Sequence, residues 1–168
     1  MRRALDQQEF ELYYQPQIDL VQRRVVGVEA LIRWHHPQRG ILLPDQFIPL
    51  AARTGLINPI TDWVMAEALR QCRTWRAAGC RLRVAVNMAG RGFHQPDLVE
   101  KIMGLIESVG ASPECLEIEI TENVLMADIE HGAQILQRLH EAGITITIDD
   151  YGTGHSSLAY LKKLPLHT

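Results

Sequence analysis

Five side chains stand out for the chemistry their atoms allow: Glu29, Asn87, Glu119, Asp149 and Asp150. All of them offer oxygen, and no His or Cys accompanies them at ligand spacing. Carboxylates crowded together repel strongly, and a bound cation relieves that repulsion. An oxygen-only donor set suits a hard divalent ion such as Mg²⁺ or Mn²⁺. Five such donors are enough for part of a two-metal site of the kind that clamps phosphorus during in-line displacement. A single acid at a strand end is more often a helix cap or a surface charge. The case therefore rests on the repetition of one pattern.

That pattern is parity. Side chains in a strand alternate between its two faces. In the run from Ile144 to Asp149 the isoleucines share one face, while Thr145, Thr147 and Asp149 share the other. In Leu116 to Thr121, Glu117, Glu119 and Thr121 oppose the apolar set. Asn87 falls with Arg83 and Ala85, and Glu29 with Gly27. The apolar face suits packing under helices, and the polar or small face suits the interior of a barrel. Each of the four polar residues also lies near the C-terminal end of its strand, where parallel α/β folds bind ligands. Glu29, Asn87, Glu119 and Asp149 are thus expected to converge at one mouth, with Asp150 beside them. Glu117 lies one layer deeper, where an ion pair with Arg83 is expected.

The elements that must hold these residues follow from two alternating periods. Period-2 segments cover about Leu12–Asp19, Val25–Trp34, Leu82–Met88, Cys115–Glu122 and Ile144–Asp150. These predict five strands. Helix-period segments lie between them. Asn58-Pro59 reads as an N-cap and a first-turn proline of a helix closed by Gly79. Pro96 opens a second helix that runs to Gly110. Asp128 caps a third that runs to Gly143, and a fourth begins near Ser156-Ser157. Strand–helix repetition with Gly at the helix ends reads as α/β with a largely parallel sheet. The first two strands are joined by only Leu20 to Arg24. A parallel crossover needs about a dozen residues, so that pair is expected to be antiparallel.

Composition narrows the setting. The chain has 168 residues and a net charge of −3, with 46% hydrophobic and 22% charged residues. That is the profile of one globular domain, with no general attraction to DNA. Apolar runs are too short for a membrane span, and Met1 leads into Arg2-Arg3-Ala4-Leu5-Asp6 without the apolar stretch of a signal peptide. Cys72, Cys80 and Cys115 are odd in number and lack C-x-x-C spacing, which fits a reducing cytoplasm. The seven histidines are scattered without an H-E-x-x-H pattern; His35 and His36 read as rim residues.

The same residues sit in motifs that resemble the EAL domain family. Glu29-Ala30-Leu31 is its signature tripeptide, followed by Ile32-Arg33-Trp34. Tyr14-Gln15-Pro16 resembles its first strand, and Gly40 to Pro44 with Phe47-Ile48-Pro49 its first long loop and helix. Asn87 stands in its Val-Asn motif. Glu119-Ile120-Thr121-Glu122 is similar to its E-x-T-E segment, and Asp149 to Gly154 to its D-D-F-G-T-G loop, with Tyr151 for Phe. An isolated E-A-L tripeptide means little; the ordered set across residues 1–168 is specific. The resemblance implies a TIM-like (β/α) barrel with an antiparallel first strand, of which about five of the eight strands are present here. It implies a phosphodiesterase that converts cyclic di-GMP to linear pGpG with Mg²⁺ or Mn²⁺. It assigns Glu29, Asn87, Glu119 and Asp149 to the first metal, with Asp149 and Asp150 toward the second. Glu29, Glu122 and Asp150 form its catalytic set, Glu122 by ordering the loop from Asp150 to Ser157. Arg33 is implied to hold a substrate phosphate, and Gln15 and Leu31 to contact the nucleotide. For Gly152-Thr153-Gly154 it implies a hinge loop coupled to the metal site and to a homodimer; a phosphate cradle or a plain turn before Ser156 are the other readings. A regulatory or GGDEF-type domain often accompanies the family.

Departures from the family pattern qualify the expectation. Ala52 stands where the family usually has Glu, and Met88-Ala89 replaces Leu-Ser. The chain stops at Thr168, before the strand that carries a water-orienting lysine; Lys162 and Lys163 are poor substitutes. A full barrel takes about 250 residues, so about three strand–helix units are expected beyond this segment. A poorly active portion of a phosphodiesterase domain is the first expectation. An EAL-like module that binds cyclic di-GMP or a partner without hydrolysis is the alternative. An unrelated Mg²⁺-dependent barrel acting on a carbon acid would need a Lys or His base at a strand end, and none is seen.

Overall fold

The computed structural model describes residues 1–149. Asp150, the Gly152-Thr153-Gly154 turn and the helix expected near Ser156 lie outside the described residues. A short helix α1 (Arg2–Asp6) precedes strands β1 (Phe10–Asp19), β2 (Arg24–His36) and β3 (Gly40–Leu42). Helices α2 (Pro44–Arg53) and α3 (Ile57–Ala77) lead to β4 (Arg83–Asn87). After it come α4 (Gly90–Phe93), α5 (Leu98–Val109), β5 (Leu116–Thr121), α6 (Glu122–Met126), α7 (Ile129–Glu141) and β6 (Thr145–Asp149).

The sheet runs β1-β2-β4-β5-β6, with β3 paired to β2 alone. Among the described residues β1 and β6 are its two ends, so the sheet is an open part of a barrel wall. The β1–β2 pair is antiparallel, as the short connection requires, and the β2–β4, β4–β5 and β5–β6 pairs are parallel. The Asp19 Oδ1 atom fastens the first turn by accepting from the Val21 and Gln22 backbone amides at 2.8 and 2.9 Å.

One face of the sheet is apolar and covered. Val28, Ala30, Ile32, Val84, Val86, Leu116, Ile118, Ile120 and Ile146 are all buried. Across from them, α3 buries Ile57, Ile60, Val64, Ala68 and Cys72, a three-to-four-residue spacing that makes one stripe. Each fully buried Leu or Ile contributes about 1.5–3 kcal/mol. Phe10, Trp34, Phe47 and Trp63 close the core at one end, with ring centroids 5.7–5.8 Å apart.

Three expectations need correction. There are six strands, because Gly40–Leu42 folds back on β2 with Leu42 opposite Trp34. Three residues are too few to display a period. Asn58 and Pro59 are not the cap and first residue of α3: the helix starts at Ile57 with Leu56 as N-cap, so both lie inside its first turn. Leu98, with Asp97 as N-cap, begins α5 two residues after Pro96. The helix ends agree with the sequence: Gly79, Gly110 and Gly143 all have positive φ, and Asp128 caps α7 by accepting from the His131 amide at 3.1 Å.

Candidate active site

The uncovered face of the sheet is built as parity demands. Gln15, Gln17, Gly27, Glu29, Leu31 and Arg33 from β1 and β2 share it with Arg83, Ala85 and Asn87 of β4. Glu117, Glu119 and Thr121 of β5 and Thr145, Thr147 and Asp149 of β6 continue it. The four candidate ligands are not level in the ladder. Glu29 is opposite Ala85, so Asn87 stands two residues farther along. Asn87 is opposite Glu119, and Asp149 is opposite Thr121, again two residues on. This climb is what a barrel requires. Its strands tilt, and residues at one height drift by about one position per strand. The staircase in the ladder brings the four residues to one rim.

Two of the four side chains touch there. The Asn87 Nδ2 amide donates to Glu29 Oε1 at 2.8 Å. Glu119, only 8% exposed, accepts from the Gln17 Nε2 amide at 3.3 Å. Burial pushes the Glu119 carboxyl up to about 7, and the charges of Glu29, Glu117 and Asp149 add to that shift, while the Gln17 amide opposes it. One level deeper, Glu117 faces Arg83 at 3.5 Å, the expected ion pair, and accepts from the Thr147 hydroxyl at 2.6 Å.

Among the described residues, no three His, Cys, Asp or Glu side chains lie close enough together to hold a metal ion as they stand. The donor chemistry nevertheless fits a hard cation. Three carboxylates and an amide stand at one end of the sheet; burial first, and then the charges of Glu29, Glu117 and Asp149, raise the Glu119 carboxyl.

The other candidates line the same end. Gln15 is opposite Glu29 across the β1–β2 pair, and Leu31 is half-buried. The Arg33 guanidinium donates to the Ile32 carbonyl at 2.9 Å and lies 5.3 Å from the centre of the Tyr13 ring. A cavity of about 390 Å³ opens beside Leu31 and Asn87, with Asp45 and Ile48 in its wall. A second, about 300 Å³, lies between α3 and α5 and contains none of the candidate ligands. Glu122 is not the end of a strand: it opens α6 and is 3% exposed. His35 lies on the rim, 2.6 Å from Glu11. Gln17 and Thr147 were not among the expected site residues. For Gln17 the available signal is its parity, shared with Gln15.

The EAL domain model matches residues 1–168, the whole sequence. The chain belongs to the EAL domain family. A cyclic di-GMP phosphodiesterase of Pseudomonas aeruginosa, NbdA, is 44% identical over 99% of this chain, which covers 21% of that protein. The bifunctional diguanylate cyclase/cyclic di-GMP phosphodiesterase MucR of the same organism is 42% identical over 98% of the chain and 24% of its own length. The chain thus spans about a fifth to a quarter of these curated relatives. The solved structure of the PaMucR phosphodiesterase in its cyclic di-GMP complex superposes with a TM-score of 0.94 at 42% identity. It is matched over 98% of this chain and 67% of its own. Other EAL domain structures superpose as well, among them the Bd1971 enzyme with cAMP and cyclic di-GMP bound, at a TM-score of 0.88. The open six-stranded sheet is therefore the EAL, TIM-barrel-like wall. None of its described helices is long and apolar enough to cross a membrane.

Proposed function

We propose that this EAL domain segment belongs to a cytoplasmic phosphodiesterase that hydrolyses cyclic di-GMP to linear pGpG with Mg²⁺ or Mn²⁺. The observation that most supports the reading is that Glu29, Asn87, Glu119 and Asp149 stand at one end of the sheet, in a family with relatives named cyclic di-GMP phosphodiesterases. Glu29, Asn87, Glu119 and Asp149 would hold the first ion, and Asp149 with Asp150 would turn toward a second. A divalent ion, when bound, supplies Lewis acidity toward a phosphate oxygen and a more acidic water. Arg33 would hold the substrate phosphate, its guanidinium placed at the rim by the Tyr13 ring and the Ile32 carbonyl. Gln15 and Leu31 would contact the nucleotide. Glu122, buried at the start of α6, would order the loop that follows Asp150. In the net reaction water adds to one phosphorus, one P–O ester bond of the ring breaks, and the leaving ribose oxygen takes a proton.

The test is formation of linear pGpG from cyclic di-GMP in Mn²⁺, separated by chromatography, using a chain continued through a full barrel. Glu29→Gln is expected to abolish turnover while the far-UV spectrum stays unchanged. Turnover that survives Glu29→Gln contradicts the metal reading. One rival is a module that binds the nucleotide without cleaving it. Saturable binding without pGpG from the continued chain would decide for that rival.

A further inference from the structure

We propose that Gln17 is a positioning residue for Glu119, its side-chain amide crossing the open face of the sheet to fix that carboxylate for a divalent ion. This rests on the reading of Glu119 as a metal ligand and adds to it a residue from β1.

The geometry is unusual for a sheet. Gln17 and Glu119 sit on β1 and β5, with β2 and β4 between them in the strand order. Neighbouring strands lie about 4.8 Å apart, so most side chains three strands away cannot meet. Here the wall curves, and the residue beneath the path is cleared. Gly27 is the direct partner of Gln17 in the β1–β2 ladder. A Cβ on Gly27 would lie 2.8 Å from Gln17 Oε1 and 3.1 Å from the Arg83 carbonyl. The first approach would push the Gln17 amide aside and the second is tight, so glycine leaves the room in which the Gln17 side chain lies. Across β4 the path meets Ala85, the smallest interior residue of that strand. The crossing ends at Glu119 Oε1, 3.3 Å from the amide nitrogen.

The residue type fits the task. An ionised carboxylate only accepts, so the amide must present its N–H₂ side to Glu119. A neutral amide orients the carboxylate without competing with a cation for it. A lysine in the same place would compete, and a glutamate would add a further negative charge to the cluster. Partners of this kind commonly set ligand orientation, and losing one weakens metal binding by about 10- to 100-fold.

The experiment is a Mn²⁺ titration of the 168-residue chain followed by electron paramagnetic resonance of the free ion, with metal-free thermal unfolding as the control. Gln17→Met keeps the length and volume but has no donor. Gln17→Asn keeps the donor but is one methylene short. Both are expected to bind Mn²⁺ about 10- to 100-fold more weakly than wild type, with little change in the metal-free melting temperature. A role in packing alone predicts that Met matches wild type; Mn²⁺ binding by Gln17→Met within about twofold of wild type overturns the proposal. Should that variant fail to fold, the same comparison with Gln17→Asn decides. A wild-type chain that binds no Mn²⁺ sinks the metal reading and this proposal with it, which separates the two failures.

Discussion

Among the described carboxylates, Glu119 is the one held toward its neutral form. Its carboxyl is raised from 4.5 to about 7, first by burial and then by neighbouring carboxylates. A raised acid binds its proton more tightly folded than unfolded. Its contribution to stability is complete below about pH 4.5 and is lost as the pH rises through about 7. In a chelator, the melting temperature is therefore expected to fall between about pH 5 and about pH 8, and Glu119→Gln to flatten that fall. Mn²⁺ should restore the loss on the alkaline side, because the ion binds the deprotonated form. An unchanged pH profile in Glu119→Gln would remove Glu119 as the cause. At this scale the sequence is informative where a rule of alternation applies. The parity of Glu29, Asn87, Glu119 and Asp149 is visible in the bare strands. Gln17 has the same parity, but its importance depends on Gly27 lying under it and on the curvature of the wall, neither of which alternation encodes.

Elements were legible in proportion to their length and their end signals. The long strands, α3, α5 and α7 all announce themselves by period, and Asp128, Gly110 and Gly143 mark real ends. The four- and five-residue helices α1, α4 and α6 hold barely one turn and leave no period to read. Yet α6 bears Glu122, and α4 packs against it: the His94 ring meets the Val124 carbonyl at 2.8 Å, and Gly90 faces Val124. Gly132 shows the same close packing from α7. In sequence it is only a weak helix former. In the structure a Cβ there would lie 2.7 Å from Leu125 Cδ1 and 3.5 Å from the Phe93 ring. Leu125 is 1% exposed and has nowhere to retreat. Gly132→Ala is expected to destabilise by about 1–3 kcal/mol despite alanine's better helix propensity. Urea unfolding checks this; a stabilised variant would show that α6 can shift freely.

For the molecule as a whole, the antiparallel first pair follows from its connection length, while the curvature of the wall does not. Among the described residues β1 and β6 each have a single sheet neighbour, so no described strand closes over the polar face. Water weakens the oriented dipoles and charges that stabilise a transition state. The 168-residue chain alone is therefore expected to form pGpG orders of magnitude more slowly than one continued through three further strand–helix units, about the loss expected when a nucleophile is no longer positioned. Comparable turnover by the two in Mn²⁺ would contradict this.

The reversed direction of β1 also decides where a tether would leave the domain. Phe10 is level with Trp34, and the Glu9 carbonyl accepts from the His35 amide at 2.7 Å, so β1 begins beside the residues that follow Arg33. A first strand parallel to its neighbours would start at the floor, and anything attached ahead of it would hang away from the mouth. Here β1 starts at the end of the sheet where Arg33 lies, so an attachment ahead of α1 would enter from that side. Cargo inserted at the Asp19–Arg24 turn would instead hang underneath, at the opposite pole, and leave the entrance clear.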